Sequence, residues 1–433
     1  MDGVTVWMTI AAIGTKWASP SNPGITTLDP AGDASMISLL TQQVRVQDTL
    51  IRQIMKFPQE ESRAAALPIA MSARRTEKAT RLSTVVRTDR EGEPIWTPEF
   101  QVAPPVAVLQ LVTGRWVAQM VGVAAELGLA DEIQTGPKTA EEVAQAKGLH
   151  PVPLYRLLRA LASVGIFAEQ EGGRFRQTPM SDALRSDVPY SMRGLARATN
   201  RHWTIRGWME LEHSIRTNVS AFEHVHGMQS FDYASQHPEE TEIFADALDG
   251  FAALVGAAVV EAYDFSSIRT LVEIGGCLVL ASVLAKHPAM RGILFDLPAV
   301  VESFSSFLRS HGVEDRIELK GGNFFEALPE GADAYLLQNI LHWRSEEDCG
   351  RILKAVHAAA RPGAKLLVVE AIVETSNEPQ FAKTLDIAML VTTHGGKERT
   401  YAEWENLLSA TGFRVSRTIP TASFAYVIEA ARN

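Results

Sequence analysis

Cysteine is scarce in this chain of 433 residues, where only Cys277 and Cys349 occur. Two cysteines cannot build a disulfide framework, and they are too few for a zinc site made of thiolates. A small protein held together by disulfides is therefore excluded. We expect a chain that works in a reducing cytoplasm, where thiols stay unpaired.

Long apolar runs are missing as well. No stretch reaches the ~18 consecutive apolar residues that a membrane-spanning helix requires. The first residues, Met1 to Ser19, carry Asp2 and lack the basic opening segment of a signal peptide. The sequence therefore predicts neither secretion nor association with a membrane.

Positive charge is in deficit, with 41 Lys and Arg residues against 51 Asp and Glu residues. Residues 1–100 carry equal numbers of acids and bases, so the net charge of −10 lies in the remainder of the chain. Binding to nucleic acid requires a concentrated basic face that neutralises phosphates. We expect no nucleic acid among the partners of the main body.

The apolar content, 46%, is that of a globular protein, and the length suggests two or three domains. Residues 1–96 are rich in proline, glycine and polar residues. They read as a largely irregular extension with one possible helix, over residues 35–57. We predict a winged-helix dimerisation domain over 97–190, a helical substrate-pocket linker over 191–262 and a Rossmann-like domain over 263–433.

The pattern of residues 97–190 is typical of a winged helix. A long, largely buried helix is predicted over 106–127, and Thr139 with Glu142 forms a capping box before the next helix. Another helix over 152–164 is followed by a strand, a Glu-Gly-Gly turn and a second strand. The helix in the position of a DNA-recognition helix has only Arg156 and Arg159 as cations. A role in dimerisation is therefore favoured over DNA binding.

Large side chains are concentrated in residues 190–262. They form either an aromatic core or the wall of a pocket for a flat molecule, and the candidates for that wall are Trp203, Met228 and Phe231. His224 and His226 have a spacing that a metal could use, but a polar pocket wall is favoured, and we predict no metal site.

From Arg269 onward, short apolar strands alternate with helices of ~10–15 residues, which is typical of a mainly parallel sheet covered by helices on both faces. The predicted fold class is therefore α/β. In such sheets, ligands bind beyond the carboxyl ends of the strands. The first strand ends at Gly275-Gly276, and the second ends at Asp296, where a carboxylate can accept hydrogen bonds from ribose hydroxyls.

Six short motifs occur in a fixed order: Glu273-Ile-Gly-Gly, Leu294-Phe-Asp-Leu-Pro, Gly322-Asn-Phe-Phe, Ile340-Leu-His, Arg361-Pro-Gly and Gly395-Gly-Lys-Glu-Arg-Thr. Together with the winged helix, they strongly resemble the S-adenosylmethionine-dependent O-methyltransferases of the plant caffeate/flavonoid and bacterial polyketide-tailoring type. The resemblance covers roughly residues 97–433. It implies a homodimer, S-adenosylmethionine as the cofactor, and a hydroxylated aromatic or polyketide-like small molecule as the substrate.

The resemblance also implies roles for individual residues. His342 stands where the family carries its general base, and Glu370 and Glu398 match the acidic residues that orient that base. Asp386 and Met389 stand where family members line the substrate pocket. The residues implied at the cofactor are Glu273, Gly275, Gly276, Asp296, Leu297, Asn323, Phe324 and Gln338.

A histidine base suits this chemistry. Methyl transfer is an in-line displacement, so the enzyme mainly aligns the two reactants. A phenol, with a pKa of ~10, is a poor nucleophile at neutral pH until a base removes its proton. A carboxylate on the other ring nitrogen fixes the tautomer of the histidine and stabilises the imidazolium.

The sequence departs from the family pattern around the cofactor. The glycine loop lacks its later glycines, continues as Cys277-Leu, and is two residues short. Gln338 replaces a lysine, and Trp343-Arg344 replaces Asp-Trp. Two other hypotheses follow: a relative with an impaired cofactor loop that binds without methylating, and a winged-helix DNA-binding regulator.

Overall fold

A computed structural model gives the fold. It describes residues 87–88, 94–95, 103–276, 278–304, 308–309 and 311–433, all of which belong to one compact unit that begins at Thr84. The helix predicted over residues 35–57 lies outside the described residues. So does Cys277, the residue that follows the two glycines of the loop. A two-residue strand pair, β1 (Arg87–Thr88) with β2 (Pro94–Ile95), occurs inside the predicted extension.

The described α-helices fall into two groups, one before and one within the large sheet. The first group is α1 (Pro104–Glu126), α2 (Leu129–Ile133), α3 (Ala140–Lys147), α4 (Pro151–Ser163), α5 (Pro179–Asp182), α6 (Arg193–Ala198), α7 (His202–Met209), α8 (Leu211–Thr217), α9 (Ala221–His226), α10 (Ser230–Gln236) and α11 (Pro238–Ala262). The second group is α12 (Leu278–Lys286), α13 (Pro298–Ser303), α14 (Glu346–Ala359), α15 (Phe381–Thr392) and α16 (Tyr401–Ala410).

The remaining strands form two sheets. The small sheet contains β3 (Lys138–Thr139), β4 (Phe167–Gln170) and β5 (Arg174–Gln177). The large sheet contains β6 (Thr270–Ile274), β7 (Arg291–Asp296), β8 (Ile317–Gly321), β9 (Ala334–Gln338), β10 (Lys365–Ala371), β11 (Phe413–Pro420) and β12 (Ala425–Arg432).

The helix–turn–helix and wing predicted before residue 190 are present. Thr139 accepts a hydrogen bond from the Glu142 amide, and the Glu142 carboxylate accepts one from the Thr139 amide, which completes the capping box at the start of α3. The helix ends at Gly148, whose φ of 66° is the left-handed conformation that glycine adopts without strain. Strands β4 and β5 pair antiparallel as the wing.

The large sheet has the strand order β11-β12-β10-β9-β6-β7-β8. Five neighbouring strands, β10, β9, β6, β7 and β8, are parallel. Strands β12 and β11 extend the sheet beyond β10, and both pairings there are antiparallel. The chain runs outward from β6 to β7 and β8, and then returns to the other side of β6 as β9. The crevice between β6 and β9 is therefore the point where the strand order reverses, and this is where open α/β sheets bind ligands.

Helices cover both faces of the sheet, and the side chains of each strand point alternately into the two buried clusters. Leu271, Leu294 and Leu336 face the cluster that packs on α11 and α12. Val272, Tyr335 and Leu337 face the opposite cluster, which packs on α14 and α16. This alternation decides on which side of the sheet each residue at a strand end lies.

Among the described residues, two helices are long and apolar enough to cross a membrane by length and composition alone: α1, with a mean hydropathy of 1.4, and α11, with 1.8. Helix α11 packs closely on the segment that contains α6, since a Cβ at Gly194 would lie 2.5 Å from the Asp246 backbone. Helix α1 is different, because most of its apolar side chains are exposed. The prediction that this helix is largely buried is therefore wrong for the single chain.

Candidate active site

The glycine turn after β6 lies at the crevice between β6 and β9. Gly275 has a φ of 79°, and a Cβ there would lie 2.4 Å from the Cδ1 atom of Ile340, so the turn requires glycine for two reasons. Gly276 is less constrained, because the nearest atom to a Cβ there is the Glu273 Oε1 atom at 3.8 Å. The space beside Gly276 is therefore open to a ligand.

Glu273 anchors this turn from inside the sheet. Its side chain is buried, and its Oε2 atom accepts a hydrogen bond of 2.8 Å from the amide of Leu280 in the first turn of α12. Burial raises the pKa of Glu273 to about 7, although the helix amides oppose that shift. The carboxylate thus fixes where α12 begins relative to β6.

The residues predicted around the nucleoside come together at the ends of β7 and β8. The Asp296 carboxylate accepts a hydrogen bond of 2.6 Å from the Leu297 amide, and the Asp296 carbonyl accepts one from Gly322. Asn323 bonds locally to Phe325 and Glu326. Burial raises the pKa of Asp296, and the Arg344 charge acts in the opposite direction.

Gln338 lies at the end of β9 on the face of α11. Its Nε2 atom donates a hydrogen bond of 2.8 Å to the Ala252 carbonyl. The side chain is buried, so it ties the sheet to α11 close to the crevice. Its predicted contact with the cofactor remains a prediction.

His342, Glu370 and Glu398 converge from three separate segments. The His342 Nδ1 atom lies 2.7 Å from Glu398 Oε1 and 3.7 Å from Glu370 Oε2. Glu370 Oε1 accepts hydrogen bonds from the amides of Leu341 and His342, which holds the short 3₁₀ turn that carries the histidine. Backbone and side chain of His342 are thus each fixed by a carboxylate.

Unpartnered buried polar atoms are concentrated at this place. Among the described residues, eight buried side-chain nitrogen or oxygen atoms lack a hydrogen-bond partner. Six of them belong to residues 339–344 or to the two glutamates that lie against His342: Asn339 Nδ2 and Oδ1, His342 Nε2, Arg344 Nε, Glu370 Oε2 and Glu398 Oε2. Because a buried polar group without a partner costs ~1–3 kcal/mol, such a concentration indicates a site that a ligand completes.

The two buried carboxylates set the protonation of His342. Burial alone lowers the pKa of His342, but the charges of Glu370 and Glu398 outweigh it, and the net pKa is raised. Burial also raises the pKa of Glu370 to about 7, with the His342 charge acting in the opposite direction. Groups that titrate near neutral pH are suited to proton transfer.

His342, Glu370 and Glu398 could also hold a metal ion, because their ligand atoms lie within 4.8 Å of one another. No other such group occurs among the described residues. One imidazole and two carboxylates are acceptable ligands for several divalent metals. However, the Nδ1 atom is hydrogen-bonded to Glu398, an arrangement in which a carboxylate orients an imidazole whose other nitrogen does the chemistry. The predicted absence of a metal remains a prediction.

The five predicted substrate residues occupy different environments. Asp386 accepts a hydrogen bond of 2.9 Å from the Glu398 amide, and Met389 is buried on the same helix, α15. Phe231 is 42% exposed, and its ring contacts Trp343 at a centroid distance of 5.0 Å. The half-buried Met228 lies just before α10.

Trp203 lies inside the aromatic cluster of the helical segment. Its ring packs against Phe222, Tyr233 and Phe244, and its Nε1 atom donates to Glu240. This segment was expected to form either an aromatic core or the wall of a pocket. Trp203 has the burial of a core residue, whereas Phe231 has the exposure that a pocket wall requires. Both substrate assignments remain predictions.

Two residues of the site were not predicted as such. Asn339 has a φ of 52°, one of two positive values among the described residues other than glycine. Trp343 packs edge-on against His342 at 5.8 Å. The sequence signal for Trp343 was its departure from the family pattern, whereas nothing in the sequence indicated the backbone conformation of Asn339.

Comparisons with known proteins agree with this geometry. The model of the O-methyltransferase dimerisation domain matches residues 109–187, and that of the O-methyltransferase domain matches residues 208–414. The chain is 40% identical over 325 residues to phenazine O-methyltransferase PhzM of Lysobacter antibioticus, which covers 75% of this chain and 95% of the relative. The chain belongs to the O-methyltransferase family.

Solved structures extend the comparison. The O-methyltransferase matches the crystal structure of LaPhzM with a TM-score of 0.72 and 39% identity, over 77% of this chain and 100% of the other. It also matches human N-acetylserotonin methyltransferase in complex with SAM, with a TM-score of 0.69 and 26% identity, over 77% and 99% of the two chains. The predicted family, fold class and enzyme class are confirmed, and the predicted domain boundaries remain predictions.

S-adenosylmethionine is the cofactor of this O-methyltransferase, as predicted. The residues at the crevice fit it. The open space beside Gly276 admits a close ligand, and the half-buried carboxylate of Asp296 offers an acceptor for ribose hydroxyls at the end of the adjacent strand. Helix α12 begins at Leu278 and is held beside the turn by the hydrogen bond from the Leu280 amide to Glu273.

Proposed function

We propose that this O-methyltransferase methylates a hydroxyl group of a flat aromatic or polyketide-like small molecule, with His342 as the general base. The observation that carries the proposal is the state of the two ring nitrogens of His342. Nδ1 is bonded to Glu398 at 2.7 Å, whereas Nε2 is buried without a partner. A substrate hydroxyl at Nε2 would complete the hydrogen bonding of the ring.

Each residue then has a definite task. His342 takes the hydroxyl proton at Nε2, while Glu398 holds the proton at Nδ1 and stabilises the imidazolium. Glu370 fixes the turn of His342 through its backbone amides. Asp386 holds the Glu398 backbone, and Phe231 with Trp343 supplies an apolar wall of the kind that aromatic ligands occupy.

The cofactor supplies an activated methyl group on a sulfonium. Glu273, Gly275 and Gly276 would hold its methionine part, Asp296 its ribose, and Leu297, Asn323 and Phe324 its adenine. Gln338 would support the same crevice from β9. Since methyl transfer needs the hydroxyl oxygen in line with the sulfonium, these residues act mainly by alignment.

The similar proteins include a phenazine O-methyltransferase and human N-acetylserotonin methyltransferase, and both names support an aromatic acceptor. The chemistry of the site agrees, because the rings of Phe231 and Trp343 offer apolar contact next to His342, which offers a polar group. Cytoplasmic localisation belongs to this proposal, since it rests on the scarcity of cysteine and on the class of enzyme.

Calorimetry and methyl transfer test the proposal together. We expect S-adenosylmethionine to bind the purified protein with a Kd in the micromolar range, and labelled methyl to appear on a hydroxylated aromatic from a panel of phenols, naphthols and phenazinols. Matched methyl ethers without a free hydroxyl serve as controls and should accept no label. Failure to bind at millimolar cofactor would favour the relative with an impaired loop, and a gel shift with DNA would favour the regulator.

We also infer that the protein is a homodimer built on α1. The outer side of this helix carries exposed apolar residues, of which Leu111 is 72% exposed, Val112 is 66% exposed and Trp116 is 69% exposed. Large contiguous apolar patches are rare on monomers and mark interaction surfaces. The helix lies mostly within the part of the chain that matches the dimerisation domain, so a second copy of the chain is the expected partner.

Substituting Trp116 by glutamate should convert the dimer to monomer. A buried charge in the centre of an interface costs ~2 kcal/mol or more, so dissociation should become at least ~30-fold easier. Light scattering coupled to size exclusion measures the mass. Leu111→Glu should act alike, and Ile215→Glu, at a residue 65% exposed on α8, is the control. A Trp116→Glu protein that remains dimeric at nanomolar concentration would place the interface elsewhere.

A further inference from the structure

Asn339 stands apart from the residues to which the catalytic scheme assigns a task. It follows the last residue of β9 and precedes His342 by three positions. Its backbone has a φ of 52°, and both polar atoms of its amide are buried without a hydrogen-bond partner. Asparagine tolerates this left-handed backbone, but an unpaired buried amide costs free energy, and such costs persist where a function requires them.

The alternation along β9 defines two sides of the sheet at the end of the strand. Ala334 and Leu336 face α11 and α12, and Gln338 continues that series by bonding to α11. Tyr335 and Leu337 face the second side. Asn339 follows the strand with a positive φ, which ends the alternation, so its position is fixed by its backbone hydrogen bond.

The residues of β10 identify that second side as the side of the base. Leu366 and Val368 share the cluster of Tyr335 and Leu337, and Glu370 comes next in their series. Asn339 donates its backbone N–H to the Val369 carbonyl, so it sits directly beside Glu370. Glu273 lies on the first side of the sheet, the side of Leu271 and α12, where it accepts a hydrogen bond from the Leu280 amide.

We propose that Asn339 is a specificity-determining residue, whose amide binds a second polar substituent on the acceptor while His342 binds the hydroxyl to be methylated. The acceptor class is therefore an aromatic ring system with at least two hydrogen-bonding groups, such as a diol or a hydroxy-carbonyl compound. An amide both donates and accepts hydrogen bonds, so a hydroxyl or a carbonyl can satisfy it. This inference rests on the proposed function.

The energetic consequence is selection against acceptors with one polar group. A site built to hydrogen-bond a substituent rejects the analogue that lacks it, because the buried polar group of the protein then stays unpaired. A monohydroxy acceptor would leave the Asn339 amide as it stands in the free protein. A matched diol would pair it.

The variant Asn339→Gly separates a binding role from a structural one. Glycine adopts the same positive φ without strain and removes the unpaired amide, so the melting temperature of the free protein should not fall. Asn218→Gly is the matched control, because Asn218 has a φ of 57° at the exposed end of α8. Asn339→Asp keeps the shape and one kind of hydrogen bond, and provides a second variant should the glycine protein fold poorly.

The measurement compares a monohydroxynaphthalene with matched dihydroxynaphthalenes. For the wild type we expect kcat/KM for the preferred diol to exceed that for the naphthol by ~100-fold. Asn339→Gly should lower only the value for the diol and bring the two within ~3-fold, while Asn218→Gly keeps the wild-type ratio. Calorimetry of the diol with protein saturated by S-adenosylhomocysteine should show the same loss without turnover.

Other outcomes overturn the inference and leave the proposed function intact. These are a wild type that prefers no diol over the naphthol, a variant with an unchanged ratio, or a variant whose weakened affinity is for S-adenosylmethionine instead of the acceptor. A wild type that binds no S-adenosylmethionine and methylates nothing would contradict the proposed function itself.

Discussion

Replacing His342 by glutamine is expected to lower kcat by about 10²–10⁴-fold, which is the usual contribution of a positioned general base. Glutamine keeps a polar amide of similar size in the space of the imidazole, so the buried Glu398 carboxylate retains a polar neighbour. Alanine would leave the buried Glu398 carboxylate without its imidazole partner, and the loss of one member of a buried pair typically costs ~3–5 kcal/mol. The glutamine variant therefore reports on catalysis, and the alanine variant also reports on stability.

Single-turnover methyl transfer measures this effect, and calorimetry checks that the affinity for S-adenosylmethionine is unchanged. His394→Ala is the matched control, since that imidazole lies in a neighbouring segment with a side chain 70% exposed. A His342→Gln enzyme with kcat within ~3-fold of the wild type would show that proton removal is done by another group or is not rate-limiting.

The pH profile of the wild type tests the same assignment. Only the neutral imidazole can accept a proton, and the carboxylates of Glu370 and Glu398 raise the pKa of His342 above its ordinary value of ~6.5. Activity should therefore be low at pH 6 and should rise as the pH passes through the raised pKa. Glu398→Gln removes one of the charges that raise this pKa, so the rise should move to lower pH while kcat falls because the ring is less well oriented.

How far the site can be predicted from the sequence depends on how local each feature is. The glycine turn and Asp296 were predictable because each belongs to a strand, a turn and a helix that lie together in the chain. The convergence of His342 with Glu398 joins residues 56 positions apart. The sequence placed these two together only through the family resemblance.

Two features escaped sequence reasoning for physical reasons. A run of aromatic residues predicts burial, but it does not distinguish a core from a wall, and Trp203 and Phe231 fall on different sides of that distinction. The left-handed conformation of Asn339 is imposed by the junction of β9 with the turn of His342, and asparagine tolerates such conformations without any sequence pattern. The burial predicted for α1 was wrong for a different reason, since an apolar sequence does not show whether its partner surface lies in the same chain or in another.

The neighbouring glycines 275 and 276 provide the second large prediction, because only one of them is required by the fold. At Gly275 a methyl group would meet Ile340, and the φ of 79° would also be strained. We expect Gly275→Ala to lower the free energy of unfolding by ~1–3 kcal/mol and to weaken binding of S-adenosylmethionine as the turn shifts. The displaced Ile340 belongs to the segment that leads to His342, so kcat should fall as well.

Gly276→Ala is the informative partner of that variant. A Cβ at Gly276 meets nothing closer than Glu273 Oε1 at 3.8 Å, so the melting temperature of the free protein should match the wild type within a few degrees. The added methyl group would nevertheless occupy the open space that we assign to the methionine part of the cofactor. One misplaced methyl group in a close-fitting site is worth ~1–3 kcal/mol, so Kd should rise by about 10–100-fold.

Comparing the two variants separates folding from binding. Calorimetric titration with S-adenosylmethionine gives the affinities, and thermal unfolding of the free proteins gives the stabilities. Loss of affinity without loss of stability in Gly276→Ala places the cofactor against this turn despite its shortened form. Wild-type affinity in Gly276→Ala would mean that the cofactor passes elsewhere through the crevice, and the roles assigned to Glu273, Gly275 and Gly276 would then be wrong.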